Sequence, residues 1–139
     1  MKNDSSVAYR LYLAQREIIK YYNRNKLKPY ELSYQHYLVL MVLVENGPIP
    51  VLQLGEYLAF QSGTITPIIK KMESRGLIER ERLKKDERIV LVQLTEEGRE
   101  LIKQLNHIPE EMLDATRLTT KEYTTLMQIT RKIVRNMRY

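Results

Sequence analysis

The chain has no cysteine, few histidines and no long apolar run. Without cysteine it can form no disulfide, no thiolate metal site and no thiol-based redox switch. No stretch reaches the ~18 apolar residues of a membrane span, and charged or amide side chains such as Arg10, Arg16 and Glu17 interrupt the apolar positions near the N-terminus. We therefore expect no signal peptide and no membrane helix, and we place the protein in the cytoplasm.

The features that an enzyme requires are also scarce. The two histidines, His36 and His107, fall on different predicted helices, no carboxylates cluster beside them, and there is no glycine-rich phosphate loop. We expect no catalytic site, no cofactor and no metal. A metal site that uses both histidines is the less favoured alternative, because His36 fits a hydrogen-bonded structural role and His107 fits the dipole at a helix C-terminus.

What the chain does have is positive charge in two places. Its 139 residues suit a single domain with one modest core, and the net charge is +6. Residues 1–32 carry a net charge of +4 and residues 61–88 carry +3, whereas residues 33–60 carry −2 and residues 89–139 carry +1. This distribution indicates a polyanionic partner, either nucleic acid or an anionic membrane surface.

Apolar periodicity and capping residues predict six helices. They cover residues 5–26, 33–46 with Ser33 as N-cap, 51–59, 62–76, 95–109 with Thr95 as N-cap, and 119–139 with a capping box of Thr119 and Glu122. The second helix is apolar nearly all round, so we expect it at the centre of the core. The third and fourth helices, joined by AFQSG, form a helix-turn-helix pattern.

The fourth helix has two contrasting faces. Its apolar stripe is Ile65, Ile68, Ile69, Met72 and Gly76, and its opposite face is small, hydroxylated and basic. Such a helix suits end-first entry into a DNA major groove, and the alternative is an ordinary amphipathic surface helix. Because of Pro67, the N-cap is either Thr64, which costs no hydrogen bond, or Ser62, which costs one.

A charged β-hairpin is predicted directly after this helix. LIERERL and RIVLVQL read as its two strands and KKDE as its turn, although the turn lacks an Asn-Gly signal. The hairpin can lie along a duplex as a wing and place Arg88 in the minor groove, with Asp86 holding its guanidinium. A merely solvated turn is the alternative.

The ordered set LGEYL, SGTITP, KKMESRGLIER, DER and LTEEG, in residues 54–98, resembles the winged helix-turn-helix of the MarR family of bacterial transcription regulators. The flanking helices match as well, and the chain looks most similar to the organic-hydroperoxide-sensing repressors. Those sensors carry a peroxidatic cysteine in a segment that here reads AYRLY, with Ala8 at the cysteine position, so thiol oxidation is not the signal.

The resemblance implies a mainly α fold with a small β-hairpin wing, in an obligate homodimer. Residues 33–94 would form the DNA-binding lobe of a single domain, residues 1–139, and residues 1–32 and 95–139 the dimerisation helices. The expected DNA-binding residues are Ser62, Gly63, Thr64, Thr66, Lys70, Lys71, Arg75, Arg80, Arg82, Lys84, Lys85, Asp86 and Arg88. The expected effector pocket comprises Ala8, Tyr12, Tyr22, His36 and Tyr37, and the tyrosines there are alternatively core and interface packing.

The predicted function is that of a repressor that binds a pseudo-palindromic DNA operator as a homodimer. A small-molecule effector would shift the population between DNA-competent and incompetent states. The alternative is a winged-helix module that binds protein or RNA and no duplex DNA, because the fold does not by itself determine the partner.

Overall fold

The computed structural model describes residues 6–138, apart from the side chain of Ser62. Within that range the chain forms seven α-helices and three strands. The helices are α1 (Val7–Tyr21), α2 (Tyr34–Asn46), α3 (Val51–Tyr57), α4 (Ser62–Ser74), α5 (Glu96–Gln104), α6 (Ile108–Thr116) and α7 (Thr120–Met137). The strands are β1 (Ile49–Pro50), β2 (Ile78–Leu83) and β3 (Asp86–Leu94). The predicted mainly α fold with a small β wing is confirmed.

The chain divides into two compact units, one ending at Asn106 and the other beginning at His107. The first unit contains α1 to α5 and the sheet, and the second contains α6 and α7. In the described part of the chain, every helix is too short or too polar to cross a bilayer.

α1 begins after Ser6, whose hydroxyl accepts a hydrogen bond from the N–H of Tyr9 at 3.5 Å. The predicted start at residue 5 lies outside the described residues. From Tyr22 to Leu27 the helix continues as a π-helical turn, and a 3₁₀ turn (Lys28–Tyr30) follows. This 3₁₀ turn contains Pro29 and ends at Glu31, which has a left-handed φ of 56°.

α2 is the central helix of the first unit, as predicted. Ser33 is its N-cap, and the ring Nδ1 of His36 completes a capping box by accepting the backbone N–H of Ser33 at 3.1 Å. Six of its residues are buried, and Val39 and Leu40 are fully inaccessible to solvent. Burial on several faces explains why its sequence is apolar nearly all round.

α4 has its N-cap at a position before both of those predicted. Its N-cap is Gln61, which makes no side-chain capping bond, so both predicted N-caps, Thr64 and Ser62, are wrong. Pro67 consequently lies inside the helix, where it has no N–H to donate to the carbonyl of Gly63. The apolar stripe outweighs that cost, because Ile65, Ile68, Ile69 and Met72 are all buried.

Gly76 ends α4 as predicted, through a Schellman motif. The N–H of Gly76 donates to Glu73 O at 3.0 Å, and the N–H of Leu77 donates to Met72 O at 3.0 Å. Gly76 has a φ of +76°, which glycine adopts without strain. The chain is thereby turned directly into β2.

The sheet is antiparallel with the strand order β1-β3-β2. The hairpin is confirmed, and its turn is shorter than KKDE, because Asp86 and Glu87 already belong to β3 and only Lys84 and Lys85 form the turn. The ladder shifts register between Arg82 and Leu83. The third strand, β1, is not predicted by any local sequence signal, and it pairs Ile49 with Val92.

Thr95 caps α5 as predicted, accepting the N–H of Gly98 at 3.1 Å. However, α5 ends at Gln104 rather than near Pro109, and Pro109 lies in the first turn of the additional helix α6. Proline is tolerated there because the first helical N–H groups have no intrahelical acceptor. α7 has the predicted capping box, in which the N–H of Thr119 donates to Glu122 at 2.9 Å.

Candidate nucleic-acid interface

The outward face of α4 is exposed, and its opposite face is buried. Gly63, Thr64, Thr66, Lys70 and Lys71 are all exposed. Small and hydroxylated residues let a partner approach the positive N-terminal end of the helix dipole, and the lysines add charge further along. Lys70 and Lys71 form no ion pair with any residue in the range 6–138, so both ammonium groups are available to a phosphate.

Arg75 was expected on this face, but its guanidinium is already engaged. It donates to the carbonyl oxygen of Glu31 at 2.7 Å and to that of Tyr30 at 3.0 Å. Two carbonyls at the end of the 3₁₀ turn are therefore held against the last turn of α4. Arg75 has the geometry of a positioning residue, and its charge faces protein groups.

Arg80 links α4 to the wing. Its guanidinium donates to both carboxylate oxygens of Glu73, with the shortest contact 2.9 Å. These hydrogen bonds lower the pKa of Glu73 and raise the pKa of Arg80. Because the pair is bidentate, it fixes direction as well as distance between the C-terminal end of α4 and β2.

At the tip of the wing, Lys84 and Lys85 are exposed and the guanidinium of Arg88 is held by hydrogen bonds. Arg88 donates through Nε and a terminal nitrogen to the two carboxylate oxygens of Asp86, each at 3.0 Å. The predicted Asp86–Arg88 pair is therefore confirmed, and its hydrogen bonds lower the pKa of Asp86. The Arg88 side chain is nonetheless 90% exposed, so it projects from β3 in a defined orientation. Arg82 donates to the carbonyl of Glu87 at 2.8 Å.

Comparison with known proteins gives these features a context. The family model of the SarA/Rot transcriptional regulators matches residues 13–105. The chain belongs to this family.

Two relatives cover nearly all of this SarA/Rot-type regulator. It is 32% identical to the HTH-type transcriptional regulator MgrA of Staphylococcus aureus over 128 residues, 92% of this chain and 87% of MgrA. It is 36% identical to the organic hydroperoxide resistance transcriptional regulator of Bacillus subtilis over 126 residues, 91% of this chain and 85% of that protein. The resemblance to MarR-type regulators and to their hydroperoxide-sensing branch is thereby confirmed.

Solved structures of other transcriptional regulators share the fold. A crystal structure of a MarR mutant from E. coli in complex with operator DNA superposes with a TM-score of 0.83 at 22% identity, covering 91% of this chain and 92% of that chain. At this identity the likeness establishes the winged-helix fold.

The predicted effector pocket is not assembled within one chain of the SarA/Rot-type regulator. Tyr22, His36 and Tyr37 are buried, and the half-buried Tyr34 has its ring centroid 4.8 Å from that of Tyr22. Burial raises the pKa of the Tyr22 phenol, and the neighbouring tyrosines raise it further. Ala8 and Tyr12 are exposed on α1, and the helical rise from Ala8 to Tyr22 is roughly 20 Å.

Two further exposed residues lie beside the predicted DNA-binding residues. Gln61, the N-cap of α4, makes no side-chain capping bond and is exposed at the N-terminal end of the helix. Lys28, in the 3₁₀ turn, lines an open groove together with Lys71 of α4. The position of Gln61 depends on where α4 starts, and that of Lys28 depends on the contact between Arg75 and the 3₁₀ turn. Within residues 6–138, no group of three or more acidic or histidine side chains is placed to hold a metal ion.

Proposed function

We propose that this SarA/Rot-type regulator binds a pseudo-palindromic DNA operator as a homodimer and represses transcription by occupying promoter DNA. In this proposal α4 enters the major groove of each half-site, and the tip of the wing enters the adjacent minor groove. The proposal depends on the presence of two exposed elements in one lobe. One is the small, hydroxylated and basic face of α4, and the other is the Arg88 side chain, whose guanidinium is oriented by Asp86. Half-sites would lie about 10 bp apart, as in other dimeric helix-turn-helix proteins.

The predicted DNA-binding residues separate into two roles. Backbone and hydroxyl contacts and phosphate charge are proposed to come from Ser62, Gly63, Thr64, Thr66, Lys70, Lys71, Lys84, Lys85 and Arg88. Arg75, Arg80 and Arg82 are proposed to position α4 and the wing, because each donates to a protein carbonyl or carboxylate. Asp86 orients Arg88.

Exposed apolar stripes support the homodimer. Neither α1 nor α7 contains a buried residue in the single chain, although both are described over their full length. Val7 is 73% exposed on α1, and Ile129 is 52% exposed on α7. Exposed apolar stripes of this kind mark surfaces that a partner covers, because their contact with water is unfavourable. A second copy of the chain supplies an identical pair of stripes.

An effector is proposed to act on the equilibrium between DNA-competent and incompetent arrangements of the two lobes. Its pocket would combine the buried cluster of Tyr22, His36 and Tyr37 with Ala8 and Tyr12, which lie at the other end of the helical segment. Because one chain keeps these groups apart, the pocket requires residues of the second copy. With alanine at position 8, its signal would be ligand binding rather than thiol oxidation.

The proposed role is non-catalytic, and the proposed site of action is the bacterial cytoplasm, where promoter DNA lies. The relatives named above are transcriptional regulators. The structure of the MarR mutant contains operator DNA, and a corresponding duplex partner is proposed for this chain.

The proposal is tested with an operator selected from a random DNA pool. We expect Arg88→Ala and Lys70→Ala each to weaken operator binding by roughly tenfold, because each removes one contact to DNA worth on the order of 1–3 kcal/mol. Lys121→Ala, an exposed lysine of α7, is the matched control and should change nothing. Affinity is measured by fluorescence anisotropy over a salt series, with log K expected to fall with a slope of about −0.9 per phosphate contacted. Sedimentation of each variant is the control for an intact dimer.

Two results would contradict this function. One is unchanged operator affinity for both variants. The other is selection of single-stranded RNA or a protein in preference to duplex DNA, which would favour an RNA- or protein-binding winged helix.

A further inference from the structure

An open groove runs between the 3₁₀ turn (Lys28–Tyr30) and α4. Its volume is about 550 Å³, and the residues along it include Lys28, Glu31, His36 and Lys71. Lys71 belongs to the exposed face of α4, so the groove opens beside the surface that is proposed to enter the major groove. The strand backbones of a duplex border its grooves, so a cation beside a helix that enters the major groove would face the phosphates of one strand.

The groove is held in shape by hydrogen bonds on both sides. Arg75 joins its two walls by donating from α4 to the carbonyls of Tyr30 and Glu31 at 3.0 and 2.7 Å. On the other side, the N–H of Tyr34 donates to Asn23 Oδ1 at 2.8 Å, which fixes the start of α2 to the π-helical turn. A preformed groove binds its ligand without the cost of ordering the chain.

The charges in the groove favour an oxyanion. Lys28 and Lys71 are exposed, and neither forms an ion pair within the described residues. His36 is buried and accepts the N–H of Ser33 through Nδ1, so its neutral ring carries the proton on Nε2. The pKa of His36 is lowered by burial and then by Lys71 and Arg75, in agreement with a positive potential near the groove. Glu31 supplies the only carboxylate among the described residues that line it.

We infer that a backbone phosphate of the operator binds in this groove between Lys28 and Lys71. Lys28 is thereby a DNA-contacting residue outside the helix-turn-helix and the wing, and Arg75 positions it through the 3₁₀ turn. Glu31 opposes the phosphate and limits its affinity. This inference rests on the proposed operator binding, and it extends the DNA-contacting surface to the segment that connects α1 to α2.

Two neutralising substitutions test the inference, because they are expected to act in opposite directions. Lys28→Gln should weaken operator binding about 3- to 10-fold near 0.15 M salt and reduce the magnitude of the salt slope by about 0.9 per protomer, as one phosphate contact is lost. Glu31→Gln should strengthen binding about 2- to 5-fold, because it removes a like charge beside the phosphate. The glutamine retains the Glu31 carbonyl that Arg75 contacts and adds no branch at a residue with a left-handed φ.

Matched controls separate this inference from the proposed function. Lys121→Gln removes an equal charge from α7 and should leave affinity and salt slope unchanged. If Arg88→Ala weakens binding while Lys28→Gln and Glu31→Gln have no effect, the groove does not bind phosphate and the proposed function stands. If none of these variants changes operator affinity, the proposed function fails as well. Circular dichroism and sedimentation show that the variants remain folded and dimeric.

Discussion

α2 and α7 differ in how far their apolar residues are buried within the chain. α2 has 13 residues, six of which are buried, whereas α7 has 18 residues and none is buried. The core of the first unit therefore closes around α2, while α1 of the same unit and α7 of the second unit expose apolar stripes. The comparison teaches that α2 is stabilised by contacts within the chain, and the proposed homodimer would cover the stripes of the terminal helices.

A related contrast exists within the proposed interface. Arg75, Arg80, Arg82 and Arg88 all donate to protein oxygens, whereas no ion pair of Lys70, Lys71, Lys84 or Lys85 occurs among residues 6–138. The planar guanidinium fits carbonyl and carboxylate pairs, and the ammonium remains a mobile point charge. Arg75, Arg80 and Arg82 thus set the geometry of the proposed surface, and the lysines together with the exposed Arg88 supply its charge.

The largest expected effect concerns the core of the lobe. Leu54→Ala should lower the free energy of unfolding by about 2–5 kcal/mol, because Leu54 is inaccessible to solvent and its truncation leaves a cavity. Leu52→Ala, on the same helix at 75% exposure, is the control and should stay within about 0.5 kcal/mol of wild type. Urea titration measures both. Equal losses would show that α3 is not packed on the core as described.

The next effect concerns the terminal helices. Ile129→Glu should convert the dimer to a monomer and weaken operator binding by about 100-fold or more, since two linked half-site contacts become one. The lobe should keep its far-ultraviolet spectrum. Gln128→Glu introduces the same charge at the adjacent exposed position and should preserve the dimer. If Ile129→Glu is still a dimer in analytical ultracentrifugation, the apolar stripe of α7 is not the dimer contact, and the proposed difference between α2 and α7 fails.

The smallest effect is a pH dependence confined to the lobe. Burial lowers the pKa of His36 in the folded state below its ordinary value of 6.5, so the unfolded chain binds more protons. Stability should therefore be full above about pH 6.5 and fall as the pH drops toward 5, at no more than about 1.4 kcal/mol per pH unit.

His36→Gln tests this assignment, because glutamine at the same position can still complete the capping box with Ser33. The variant should lose this pH dependence in urea titrations at pH 7 and pH 5. His107→Gln should retain it. A variant His36→Gln with the wild-type pH dependence would show that another group is responsible.

Several elements were predictable because their signals are local. Ser33, Thr95 and Thr119 each cap the helix that the sequence assigned to them, and Gly76 ends α4. A cap acts through hydrogen bonds within about three residues, so it can be recognised without knowledge of the fold. The pairing of Asp86 with Arg88 is local in the same way.

Other features depended on residues far apart in the sequence. The start of α4 contradicts the local proline rule, because burial of Ile65 and its neighbours outweighs an internal Pro67. β1 exists through its pairing with Val92, over forty positions further along the chain. The role of Arg75 likewise follows from carbonyls at residues 30 and 31, which no sequence window around it contains.

The amino-acid sequence by itself determined the helix boundaries that caps mark, the two faces of α4, the charged hairpin and the family. These follow from periodicity and short-range hydrogen bonding, which act over a few residues. Only the tertiary structure decided which basic side chains are exposed to a partner and which donate hydrogen bonds to protein oxygens. It also decided which apolar stripes are buried within the chain. Those outcomes depend on which distant groups packing brings within hydrogen-bonding distance.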